Sequence, residues 1–156
     1  MTEPPPGPLS RSPGPLSGSL VLPDGTRVRG RGRRAPLPPG PLPECGLWLG
    51  RRGTAPPWPV EHLDWPDFRS PRDPEAAARA VLRAFGRART GLRVEVTCGG
   101  GSGRTGTVLA CMAVLAGHPA ADAVAWTRRH YRRCAVETPG QRRFVAWFAA
   151  NAARLG

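Results

Sequence analysis

Apolar positions come in short bursts through the first half of the chain and in helical stripes through the second. Leu20–Leu22 and Thr26–Val28 flank Asp24-Gly25, a two-residue turn signal that predicts a hairpin. Arginines at 27, 29, 31 and 33 recur at period two and so share one face. That pattern predicts a solvated edge whose charges block pairing with other strands. After a proline linker at 35–43, the runs CGLWLG and VEHLD predict two further strands. The segment WPDFRSP follows, and its two prolines keep it irregular.

The helical half is marked by its caps. Asp73-Pro74-Glu75 combines an N-cap, a first-turn proline and an acid at the positive dipole end. It predicts a helix to about Arg87 with Ala77, Val81, Leu82 and Phe85 as its apolar stripe. LRVEVT predicts a central strand. Residues 105–116 are apolar on nearly every side, which predicts a buried helix capped by Gly117. Pro119 opens another helix, with Val124, Thr127 and Tyr131 on one face. Thr138-Pro139-Gly140-Gln141 opens the last, with Phe144, Val145 and Phe148 inward. Strands first and helices after predict an α/β class, a single domain with a central twisted mixed sheet flanked by helices.

Composition narrows the reading only in places. Residues 1–18, MTEPPPGPLSRSPGPLSG, hold too little apolar surface to offset ordering entropy, so a disordered tail is expected there and a domain over 19–156. No apolar run reaches transmembrane length, and the proline-rich start is unlike a signal peptide. A soluble, cytoplasmic protein with no membrane partner is expected. The formal net charge is +12 and all 23 basic residues are arginine, which favours anionic partners. Arginine, alanine, glycine and proline are high throughout, so bias accounts for the charge better than a nucleic-acid surface does. The cluster Arg128, Arg129, His130, Arg132 and Arg133 reads as a solvated basic face, with attraction of acidic or phosphorylated substrates as its alternative. Cys45, Cys98, Cys111 and Cys134 have neither zinc nor disulfide spacing; Cys45 and Cys111 read as core thiols.

The chemistry lies in VEVTCGGGSGRTGT, a strand that breaks into glycines and climbs into a helix. A nucleotide loop, G-x-x-x-x-G-K-[ST], would need glycine where Cys98 stands and lysine where Arg104 stands. Cys-x5-Arg fits without a gap, from Cys98 through Gly99, Gly100, Gly101, Ser102 and Gly103 to Arg104. Glycines allow such a loop to turn successive backbone N–H groups onto one phosphate. A thiol at its base, beside a helix N-terminus, is favoured as the thiolate. An arginine grips two phosphate oxygens with a planar fork. A phosphate monoester also needs a proton donor for its leaving oxygen, and Trp65-Pro66-Asp67 stands 31 residues before Cys98 on the irregular segment.

WPD, CGGGSGRTG and TPGQRRFV in this order resemble the cysteine-dependent protein tyrosine phosphatase superfamily, most of all its compact dual-specificity and bacterial members, over residues 45–150. The resemblance implies Cys98 as nucleophile and Arg104 with the N–H groups of Gly99 to Gly103 as phosphate binder. It implies Asp67 as acid and then base, and Thr105 as the hydroxyl that stabilises the departing thiolate. Gln141 matches a water-orienting glutamine in some members; Thr138-x-x-Gln141 is equally a capping box. No metal or cofactor is implied, and a monomer is expected. The implied substrates are phosphorylated proteins, phosphotyrosine first, with phosphoserine and phosphothreonine beside it. The alternative is a catalytically weak module that binds phosphorylated partners. Its support is Thr97, which stands where the family prefers histidine.

Overall fold

The computed structural model describes residues 14–156. A short hairpin opens the domain: β1 (Leu20–Val21) pairs antiparallel with β2 (Arg27–Gly32), matching Leu20 to Val28. Asp24 Oδ1 accepts from Thr26 N at 2.9 Å and closes the predicted turn. β3 (Cys45–Leu49), β4 (Val60–Leu63) and β5 (Val94–Cys98) complete a five-stranded mixed sheet in the order β1-β2-β5-β3-β4. All pairings except the hairpin are parallel, with β5 held between β2 and β3. Every residue of β5 is buried, so the strand that ends in Cys98 is the innermost.

Four helices pack on this sheet. α1 (Pro74–Arg89) starts at Asp73, whose Oδ1 accepts from Ala76 N at 3.0 Å, and crosses from β4 back to β5. α2 (Gly103–Leu115) begins inside the glycine loop and is buried through Ala113, as its all-round apolarity predicts. A 3-10 turn at Ala120–Asp122 leads into α3 (Ala123–His130), and α4 (Pro139–Leu155) ends the chain. Val28, Leu47, Leu49, Val94 and Val96 of the sheet join Val81, Phe85, Leu109, Met112, Phe144 and Phe148 of the helices in one apolar core. The expected single α/β domain with a central mixed sheet is the architecture found.

One expectation is corrected. β2 lies inside the sheet, and its arginines do share a face, but that face is not a solvated edge. Arg29 is 2% exposed and Glu95, its β5 neighbour, 1%. Arg29 Nε donates to Glu95 Oε2 at 2.7 Å, and Arg31 forks onto both carboxylate oxygens at 2.9 and 3.0 Å. A buried carboxylate 64 residues away in sequence turns an apparent solvation pattern into an internal charge cluster. Of the tail expected over 1–18, residues 1–13 lie outside the described residues. In the remainder Leu16 is buried, and Ser17 O accepts from Arg29 Nη1 at 3.4 Å.

Candidate active site

The glycine loop runs from the end of β5 to the first turn of α2, and its carbonyls are held from outside. Arg33 N donates to Cys98 O at 2.9 Å and Arg34 N to Gly99 O at 3.2 Å. Arg132 Nη1 donates to Gly100 O at 2.8 Å and Tyr131 Oη to Gly101 O at 2.5 Å. Ser102 O accepts from Gly106 N at 2.9 Å, and Gly103 O from Thr107 Oγ1 at 2.6 Å. In a trans peptide the N–H points opposite to the C=O. Holding six successive carbonyls on the outside therefore turns the N–H groups of residues 99 to 104 to the concave side. Gly101 N shows this, donating to Cys98 Sγ at 3.1 Å. Gly101 has φ +81°, a conformation that L side chains rarely adopt, and no room for a Cβ beside the backbone of Gly32. The concave face is thus lined by donors around a buried sulfur, which is the arrangement an anion needs.

Asp67 comes to the same place from the segment after β4. Its Oδ1 lies 3.4 Å from Arg104 Nη2, and its carboxyl is 45% exposed. Arg104 Nη1 donates to Trp65 O at 3.2 Å, so one guanidinium joins the loop to the WPD segment. Trp65 is fully buried, edge-on to Phe144 at 5.4 Å, with Nε1 donating to Arg69 O at 2.6 Å. That anchor fixes where Asp67 stands. Thr105 sits in the first turn of α2 with Oγ1 buried, and neither it nor Arg104 Nε has a hydrogen-bond partner among the described residues.

Gln141 stands beside Gly103, but its amide is engaged elsewhere. Oε1 accepts from Glu137 N at 2.8 Å and Thr138 N at 3.3 Å, while Gln141 N donates to Thr138 Oγ1 at 3.2 Å. The capping box is formed. The remaining Nε2 reaches Arg69 O at 3.4 Å, tying α4 to the segment that carries Asp67. The structure brings Cys98, Arg104, Asp67, Thr105 and the loop together, with Gln141 at their edge.

Four residues around the loop escape sequence reasoning. Arg33 reads as part of a solvated edge and Arg132 as part of a basic face, and no period marks Arg34. Tyr131 reads as sharing a helix face with Val124 and Thr127, and it stands as the C-cap of α3. For Arg33 and Arg34 the signal is the run of arginines at the end of β2, and nothing local says which loop it will meet. Burial lowers the Arg33 pKa to about 10; the nearby Cys98 opposes this, while Arg104 and Arg31 add to it. Arg33 therefore remains a cation at neutral pH. Burial likewise raises the Tyr131 hydroxyl to about 12, so it stays a hydrogen-bond donor to Gly101.

Solved structures share this fold, and a family model defines the class. The fold is similar to Tk-PTP in its active form, with TM-score 0.61 and 26% identity over 69% of this chain and 79% of that one. It is also similar to human DUSP28, with TM-score 0.61 and 17% identity over 88% and 99% of the two chains. Kinase associated phosphatase with its catalytic cysteine changed to serine gives TM-score 0.60 and 16% identity over 72% and 71%. The latter two likenesses concern the fold alone. The family model for the Swiss Army Knife protein DSP-PTPase phosphatase domain (PTP-SAK) matches residues 61–145, more than half of the chain. This chain belongs to that family. Two uncharacterised proteins of Methanocaldococcus jannaschii are 49% identical over 55 residues and 50% over 52, covering 35% and 33% of this chain. The matched stretch spans about a third of each of those relatives, 36% and 31%.

Proposed function

We propose that this phosphatase-family chain hydrolyses phosphate monoesters on proteins, phosphotyrosine first, through a phosphocysteine intermediate. The observation that carries the reading is the meeting of three groups at one loop. Gly101 N lies 3.1 Å from Cys98 Sγ, and Asp67 Oδ1 lies 3.4 Å from Arg104. The Cys98 thiolate attacks phosphorus, the bond to the leaving oxygen breaks, and Asp67 gives that oxygen its proton. Arg104 and the loop N–H groups hold the equatorial oxygens, whose charge they stabilise in the transition state. Water then attacks the phosphocysteine and gives a proton to the Asp67 carboxylate. The S–P bond breaks and phosphate leaves, and the resemblance assigns the buried, unpartnered Thr105 hydroxyl the role of steadying the returning thiolate.

The test is p-nitrophenyl phosphate turnover by wild type, C98S and D67N without added metal. C98S should fall to background and D67N about 10²–10⁴-fold below wild type. If wild type turns over no faster than C98S, the loop binds phosphorylated partners without hydrolysing them.

A further inference from the structure

β2 ends where the phosphate loop begins, and the two are built to touch. Gly32 pairs with Cys98 across the sheet, and a Cβ on Gly32 would strike the backbone of Gly100. Just past this contact the Arg33 side chain turns back onto the ends of β5 and β3. Nη1 donates to Thr97 O at 2.9 Å and to Thr97 Oγ1 at 3.0 Å, and Nη2 donates to Leu49 O at 2.9 Å. Its guanidinium carbon lies 4.1 Å from the centroid of the Trp48 ring. A planar cation stacked on an indole and bonded in its own plane has little freedom left.

We infer that Arg33 is a positioning residue for Cys98. It clamps the residue before the nucleophile and holds a fixed positive charge beside the thiolate on which the proposed hydrolysis rests. Thr97, the departure from the histidine of the resembled superfamily, acquires a role here. Its hydroxyl and carbonyl oxygens both accept from one guanidinium nitrogen. The same cation acts on Cys98 by electrostatics, which favour the charged form of a nearby opposite charge. Burial lowers the Arg33 pKa only to about 10, so the residue is protonated at neutral pH, with Cys98 itself acting to keep it so. Arg33 lies outside residues 61–145, the stretch matched by the family model.

The experiment follows iodoacetamide alkylation of Cys98 by peptide mass spectrometry from acidic to mildly alkaline pH, in the full chain. Wild type, R33M, R33K and T97V are compared, with thermal unfolding as the check on folding. R33M should move the alkylation midpoint up by roughly one pH unit. At a pH below the wild-type midpoint it should lower kcat/KM for p-nitrophenyl phosphate about tenfold, with KM within about twofold. R33K keeps the charge and should restore most of the midpoint, which a purely structural clamp would not. T97V should shift the midpoint the same way by less. A folded R33M whose alkylation profile superposes on wild type overturns the inference. If R33M does not fold, an unshifted T97V together with an R33K profile like that of T97V overturns it instead. Alkylation reads the thiol without turnover, so the two readings separate. An inactive wild type with a shifted R33M sinks the hydrolysis and keeps Arg33; an active wild type with an unshifted R33M does the reverse.

Discussion

Glu95 sits second in the innermost strand, fully buried, where a carboxylate is costly unless it is paired. Arg29 and Arg31 satisfy it with three hydrogen bonds between 2.7 and 3.0 Å. Removing the acid leaves two guanidinium groups facing each other with little solvent to take their charge. E95A should therefore cost about 3–5 kcal/mol of stability, as for other broken buried pairs. Urea unfolding measures it, and a loss below about 1 kcal/mol would show that water reaches the cluster. Replacing the three charged residues together by apolar ones of similar volume should cost far less. These charges illustrate what one strand cannot reveal. Alternation at residues 27–33 gives the shared face, whereas the partner that buries it comes from β5. Cys98 and Arg104 were legible for the opposite reason: their spacing of six along a single loop is local. Cys111 was read as a core thiol and is fully buried, and burial pushes its thiol far above the ordinary range.

α1 and α4 were the most legible elements, because each carries its own start signal, whereas α2 and α3 begin without a side-chain cap. Asp73 caps α1 and Thr138 caps α4 with side chains three residues from their targets, within the reach of local sequence. The position of β2 was not legible, since parallel pairing with β5 joins residues separated by more than sixty positions. That pairing sets the loop's shape as much as the glycines do. Gly32 and Gly101 meet backbone to backbone, and Arg33 N and Arg34 N hold Cys98 O and Gly99 O. G32A should push the new methyl against Gly100 and tilt the loop's N–H groups off their common centre. On the proposed reaction, kcat should drop about 10²-fold, the scale for losing one preorganised donor, and inorganic phosphate should inhibit more weakly. The strand pairing should survive, leaving the thermal midpoint within a few degrees of wild type. A fully active G32A would mean that the loop does not need this contact.

Across the whole molecule the +12 charge is distributed unevenly, some of it inside and some around the loop. Arg29 is neutralised internally by Glu95, while Arg34 lies beside Gly99 and Arg132 bonds Gly100 and Ser102. Arg69, Arg72 and Arg143 line a groove with Phe68 and Pro139 next to the segment of Asp67. Such a field raises the local concentration of anionic substrates and is screened by salt. For an acidic phosphopeptide kcat/KM should fall several-fold as ionic strength rises from low to near 1 M, where the screening length is about 3 Å. The slope for p-nitrophenyl phosphate should be shallower, and R69E/R143E should flatten the peptide's slope; equal slopes for all would place recognition elsewhere. By itself the sequence determined the α/β class, the cap-marked helices, the order of motifs and the thiol-and-arginine loop. All of these are written in neighbours, at spacings set by helix pitch, strand alternation or the length of one short loop. Tertiary structure alone decided that β2 lies inside the sheet, that Glu95 gathers its arginines, and that Arg33 closes on Thr97. Those outcomes depend on which distant strands pair, and pairing is selected by the packing of the whole core.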